Sequence, residues 1–301
     1  PIDSSFAMTT SAQSRPSWAA ASAPWPTGEI THFREVNGYP LAYVEGGTRL
    51  PALVLVHGSV NDYRAFQAQV APLSVHARTF APSLRHCYPE RWDGRGDDFN
   101  VEQHADDVAA LIAALEVGAV HLLGHSRGGA VAIALALRHP GVVRSLVLAD
   151  PGGLEALLPP SPEGEAMARQ SAQMFERLAA NLARGDEVAA ARRFVEDLNG
   201  PGAWERRSRA VQQGMLDNIR TGPACAQRPQ FSAAEIASLP MPVLPITGAA
   251  SPARYPLMLA QMRRLNPRVE GVVTIADAAH AMHREQPAGF NAAVTAFIPA
   301  H

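Results

Sequence analysis

The sequence predicts an α/β fold: a doubly wound, mostly parallel eight-stranded sheet with a block of helices inserted after the sixth strand. Three observations carry this. Continuous apolar runs such as Ala52-Leu53-Val54-Leu55-Val56 suit strands buried on both faces. Helical periodicity lies between those runs, giving the alternation of βαβ units. From 152 to 239 the alternation stops, and amphipathic helix patterns continue with no convincing strand. With 301 residues, 47% of them apolar, the chain can bury a large core.

In chain order, strands are predicted at 30–36, 39–45, 52–57, 77–82, 118–124, 142–149, 242–247 and 269–276, and helices at 63–74, 101–116, 128–138, 255–265 and 286–297. Residues 1–29 read as an N-terminal arm, because 9–28 are rich in Ser, Ala, Pro and Thr with little periodicity. The residues ahead of Met8 read as a cloning remnant, with a trimmed secretory leader left open. The core divides into 30–151 and 240–301. Between them, 152–239 reads as a helical cap that opens with Pro159-Pro160-Ser161-Pro162. Its apolar residues Met174, Phe175, Leu178, Phe194, Trp204 and Met215 suit either a substrate wall or plain helix-packing core.

Composition excludes several function classes. A net charge of -2 argues against a surface for nucleic acid. All 26 cationic residues are arginine, so Schiff-base chemistry, pyridoxal phosphate anchoring, a Ser-Lys dyad and a P-loop lysine are ruled out. Cys87 and Cys225 fit neither a disulfide framework nor a zinc spacing and read as free thiols. No run approaches a membrane span, there is no H-E-x-x-H, and no cofactor or metal is expected. A cytoplasmic location is the expectation, and the oligomeric state is not legible.

The chemistry centres on Gly124-His125-Ser126-Arg127-Gly128, which follows the fifth strand and opens the helix at 128–138. A G-x-S-x-G segment between strand and helix forms a tight turn that lifts the serine into the open, and the flanking glycines avoid collisions with neighbouring backbone. The helix start also aims unpaired N–H groups at the place where negative charge develops in acyl transfer. A serine hydroxyl is a weak nucleophile near neutral pH and needs a base, usually oriented by an acid. His280 is the expected base, since it follows the last strand in a short loop (Asp277-Ala278-Ala279-His280) at the carboxyl edge of the sheet. His283 is the alternative, expected on another face of that turn.

Together, Val54-Leu55-Val56-His57-Gly58, Gly124-His125-Ser126-Arg127-Gly128-Gly129 and Ala279-His280 with Glu285-Gln286-Pro287 resemble the α/β-hydrolase superfamily over about 30–298. The resemblance implies an oxyanion hole made by the amides of Ser59 and Arg127, with Val60 as the other option for the first amide. It also implies an acid. The usual aspartate after the seventh strand is missing from Thr247-Gly248-Ala249-Ala250-Ser251-Pro252, and Asp150, after the sixth strand, occupies an alternative acid position of the superfamily. A turn-capping role for Asp150, and Asp277 as the acid, stay open.

Tyr63, Trp92 and Trp204 are the remaining expected substrate contacts, with Asn61 and Asp62 equally explained as helix caps and Arg85 as an ordinary loop residue. The expected function is hydrolysis of a small-molecule carboxylic ester or lactone through a Ser-His-Asp triad and an acyl-enzyme. C–C bond hydrolysis, cofactor-free perhydrolysis and a hydrolase-like ligand receptor are the alternatives. An epoxide hydrolase or dehalogenase is disfavoured, because those enzymes carry aspartate where Ser126 stands.

Overall fold

A computed structural model describes residues 30–227 and 229–301. The expected arm over 1–29 lies outside the described residues. Eight strands form one sheet: β1 (His32–Val36), β2 (Tyr39–Gly46), β3 (Leu53–Val56), β4 (Thr79–Pro82), β5 (Val120–His125), β6 (Val143–Ala149), β7 (Val243–Gly248) and β8 (Val273–Ile275). Their spatial order is β1-β2-β4-β3-β5-β6-β7-β8. The pairs β1–β2 and β2–β4 are antiparallel, and every pair from β4 to β8 is parallel.

The apolar runs sort by strand alternation. On β3, Val54 and Val56 join one core cluster while Leu53 and Leu55 join the other. On β6, Leu146 and Leu148 likewise face one way and Val147 and Ala149 the other. Helices α2 (Val101–Ala114), α3 (Arg127–Arg138) and α8 (Arg254–Leu265) cover the first face; α1 (Val70–Ser74) and α10 (Pro287–Phe297) cover the second. Each fully buried Val or Leu contributes about 1.5–3 kcal/mol relative to exposure.

Two boundaries differ from the sequence expectation. The helix expected over 63–74 is broken into a 3₁₀ turn, Tyr63–Phe66, capped by the Asp62 side chain, and the short α1. Just before α1, the buried Gln69 donates its side-chain amide to the carbonyl of His283 and to Asn291 Oδ1, tying the chain to another element. The last strand is shorter than 269–276, because Val269 makes only an isolated bridge to Val243 before pairing resumes at Val273.

Between β6 and β7 lie α4 (Pro162–Ala183), α5 (Glu187–Asn199), α6 (Arg209–Asp217) and α7 (Ala233–Ser238). Their starts are written locally. Ser161, Asp186, Ser208 and Ser232 each accept a backbone N–H from the first turn, and Ser232 forms a reciprocal capping box with Glu235. Among the described residues no helix is long and apolar enough to cross a membrane.

The topology gathers the loops that matter. Parallel strands β3, β5, β6, β7 and β8 are consecutive in the sheet, so Ser59, Ser126, Asp150, Ser251 and His280 all emerge from one edge. Pairing continues past the strands: Ser126 N–H donates to Ala149 O at 3.0 Å and Asp150 N–H to Ile246 O at 3.0 Å. Ser126 itself takes φ 55° and ψ −123°, a conformation costing about 1–3 kcal/mol for a non-glycine residue. The turn closes only because its glycines have no side chain: a Cβ at Gly128 would stand 2.1 Å from Val56 O, and one at Gly124 2.3 Å from Gly128 O. Gly128→Ala is therefore expected to destabilise the protein by roughly 3 kcal/mol, read as a lowered urea midpoint at constant m-value. An unchanged midpoint would mean that the turn relaxes freely.

Candidate active site

Ser126 opens onto two adjoining cavities, of about 410 Å³ and about 340 Å³. Ser59, Ser126, Phe194 and Leu198 line both. The first also holds Asn61, His125, Asn199, Arg207, Met215, His280, His283 and Arg284. The second holds Arg127, Glu155, Ser171, Met174, Phe175 and Tyr255. Helices α4 and α5 thus supply most of the apolar wall opposite the sheet edge.

Asp150 follows β6 with φ 42° and is fully buried. Its Oδ2 lies 3.1 Å from His280 Nδ1 and accepts a hydrogen bond from Ser251 Oγ at 2.6 Å. A carboxylate oxygen facing Nδ1 favours the tautomer with the proton there, leaving the lone pair on Nε2. His280 Nε2 is buried and has no hydrogen-bond partner among the described residues. Its surroundings fix the ring. Tyr255 stacks on it at 4.9 Å and 18°, and His125 Nε2 donates to the His280 carbonyl at 2.8 Å. The amide N–H of the next residue, Ala281, donates to Asn199 Oδ1 at 2.9 Å. Burial pushes the Asp150 carboxyl up and the His280 imidazole down, so the imidazole rests neutral. A neutral imidazole with an unpartnered lone pair, on a residue that lines the same cavity as Ser126, can accept a proton.

The loop after β3 is held by a second histidine. Leu84 N–H donates to His57 Nε2 at 3.0 Å, so the neutral ring carries its proton on Nδ1 and donates it to Gly58 O at 2.9 Å. This bond steadies the backbone just ahead of Ser59. Val60 follows in the left-handed region at φ 49°, and Asn61 Nδ2 donates to Ser59 O at 2.8 Å. Arg127, first residue of α3, sends its guanidinium to His104 Nδ1 at 2.8 Å, over the Phe99 ring.

The expected residues separate into two groups. Ser126, His280, Ser59 and Arg127 line the cavities, and Asp150 sits behind His280. Tyr63, Trp92 and Trp204 line neither. Tyr63 is buried with its hydroxyl on Thr31 Oγ1; Trp92 is stacked between His86 and Phe99; Trp204 is packed in the apolar core. Of the apolar candidates, Met174, Phe175, Phe194 and Met215 reach the cavities and Leu178 does not. Asp62 caps the 3₁₀ turn, and Arg85 is held by Asp107 and Asp98. His283, expected on another face, lines the same cavity as His280 with its ring 4.4 Å from His125, but no carboxylate orients it among the described residues. Sequence reasoning missed Ser251, Tyr255, His125, Asn199, Arg207 and Arg284. Only Ser251 carried a local signal, standing in the stretch searched for an acid.

The family model described as alpha/beta hydrolase fold matches residues 51–287. The chain belongs to that family and is an enzyme of the α/β-hydrolase class. Along its length it is similar to the sn-1-specific diacylglycerol lipase ABHD11 of Mus musculus, 27% identical over 294 residues, covering 88% of this chain and 87% of that protein. Among solved structures it is similar to a thermophilic esterase of Thermogutta terrifontis with malate bound, at TM-score 0.72 and 26% identity, covering 90% of this chain and 98% of that one. The carboxylesterase CesB of Bacillus subtilis, at TM-score 0.70 and 18% identity over 92% and 94% of the two chains, shares the fold.

Six buried imidazoles, those of His57, His104, His121, His125, His280 and His283, are held below the ordinary histidine range, with desolvation the leading cause in each and His57 lowered to about 4. The unfolded chain binds these protons at a higher pH than the folded one, so stability falls as pH drops below about 6.5, by up to about 1.4 kcal/mol per pH unit per histidine. Two groups act the other way: His86, lowered by burial but raised on balance by Glu90 and Asp98, and Asp150. The six outweigh the two. Urea unfolding is expected to give a lower free energy at about pH 5.5 than at about pH 7.5; equal values would contradict the neutral-imidazole description.

Proposed function

We propose that the protein hydrolyses carboxylic esters or lactones by two-step acyl transfer, with Ser126 as nucleophile, His280 as base and Asp150 as the acid that orients it. His280 Nε2 takes the Ser126 Oγ proton as the oxygen attacks the substrate carbonyl. The amides of Ser59 and Arg127 hold the oxyanion, each worth about 3 kcal/mol of barrier. The proton passes from His280 to the departing alcohol, leaving an acyl-enzyme. Water, deprotonated by the same nitrogen, then releases the acid and restores Ser126. Helices α4–α7 act as the cap that shapes the substrate chamber.

The observation that carries this reading is the state of His280: one ring nitrogen faces a buried carboxylate, and the other is buried and unpartnered, in the same cavity wall as Ser126. The activities of the similar proteins, a diacylglycerol lipase and an esterase, accord with ester substrates.

Turnover of p-nitrophenyl acetate is the direct test. Ser126→Ala is expected to abolish it. Asp150→Asn, which keeps size but removes charge and alters the tautomer, is expected to lower kcat by about 10⁴-fold while the circular-dichroism spectrum is kept. A near wild-type kcat in Asp150→Asn would assign the acid elsewhere.

A further inference from the structure

The cavity shared by Ser126 and His280 is cationic in a way that proton transfer and oxyanion binding do not require. Arg207 and Arg284 line it, together with Asn61, Asn199 and His283, and no carboxylate stands in that wall. Of the other inward-facing arginines, Arg254 donates to the Tyr255 hydroxyl at 3.3 Å, while Arg64 pairs with Asp62 and Asp217 and Arg85 with Asp107 and Asp98. Among the described residues, Arg207 and Arg284 make no such pair. Arg284 donates to the neutral Asn61 Oδ1 at 3.0 Å, and the buried Arg207 Nε has no partner. The carboxylates that act on them from further off are committed. Glu285 accepts from Ala279 N–H at 2.7 Å, and Asp62 is bonded to Arg64 and Asn218.

Burial and mutual repulsion depress the Arg284 guanidinium to about 10, so it is still charged at neutral pH. Two like charges turned toward an enclosed space without counter-ions are costly unless an anion joins them. Their position gives that anion a route. Arg207, Arg284 and Asn199 also line an outer cleft of about 1070 Å³, together with Arg206, Asp277 and Glu285, so the two guanidiniums lie where the cleft and the inner cavity share a wall. The second cavity, which also holds Arg127 and Glu155, adds Met174 and Phe175, and Phe194 and Leu198 line both.

We propose that the substrate carries an anionic oxygen group, of a carboxylate or a phosphate, seated against Arg207 and Arg284 while its apolar part lies against Met174, Phe175 and Phe194. The two ends then place the carbonyl at Ser126. This deepens the ester-hydrolase reading and rests on it.

The test compares p-nitrophenyl esters of three acids of matched length: pentanoic acid, glutaric acid with its second carboxylate free, and a terminal phosphono acid. One of the anionic esters is expected to exceed the pentanoate in kcat/KM by about tenfold or more, mainly through KM, and which one leads assigns the anion. That preference should shrink by about tenfold in Arg207→Gln and in Arg284→Gln, and because it is a ratio a general loss of active protein cancels. Glutarate or methylphosphonate alone should also raise Tm in the wild type and less in either variant, a reading that needs no turnover. Labelling of Ser126 by a neutral fluorophosphonate, run in parallel, separates the two ideas. Labelling with no anion preference overturns the anion seat alone, and a glutarate- or methylphosphonate-dependent Tm shift without labelling overturns the hydrolase reading while upholding the seat. A preference that survives both substitutions also overturns the proposal.

Discussion

The bend at Ser126 is the constraint on which the rest depends. Its positive φ is unfavourable for a side-chain-bearing residue, and it persists because the backbone on both sides is fixed: the N–H pairs with Ala149 O, and the carbonyl accepts from both Gly129 and Gly152. The same bend ends β5 and starts α3. It therefore exposes one hydroxyl, brings the α3 N-terminus beneath it and leaves no room for a side chain at Gly124 or Gly128. Strain at one residue is balanced by sheet pairing across its neighbours, so the fold and the site are not separable there.

Burial does the remaining electrostatic work. Asp150 and His280 are both buried, which disfavours separated charge and keeps the imidazole neutral at rest. In the proposed reaction the charge that forms on His280 is stabilised by Asp150, whose carboxylate is held by the Ser251 hydroxyl. The side chains of His125 and Asn199 tether the backbone at His280 and Ala281, so the ring position does not rely on the loop alone. Arg207 and Arg284 add a fixed positive field at the wall of the first cavity, while Met174 and Phe175 line the second.

Legibility in the sequence followed how local each signal is. The sheet was readable because strand burial on two faces writes uninterrupted runs such as Leu53–Val56, and the turn at Ser126 because its steric demands fall within five consecutive residues. Asp150 was reachable because its place after β6 is a position in a pattern. Tyr63 and Trp92 were attractive because they sit in loops leaving the active edge, yet an aromatic ring in such a loop can satisfy itself inward, on Thr31 for one and between His86 and Phe99 for the other. Tyr255, Asn199, Arg207 and Arg284 come from separate elements and meet only in three dimensions. Nothing in one sequence distinguishes Arg284 from 25 other cations, since what marks it is its place in the cavity wall.

The central claim is that a hydroxyl on this bend becomes transiently acylated. Quenching the protein in acid during turnover of a slowly deacylating ester, then mapping peptides by mass spectrometry, addresses it most directly. An increment equal to the acyl group is expected, confined to the peptide bearing Ser126 and formed before product release reaches steady state. Sustained turnover with that peptide unmodified at every quench time, or the increment on another side chain, would contradict it.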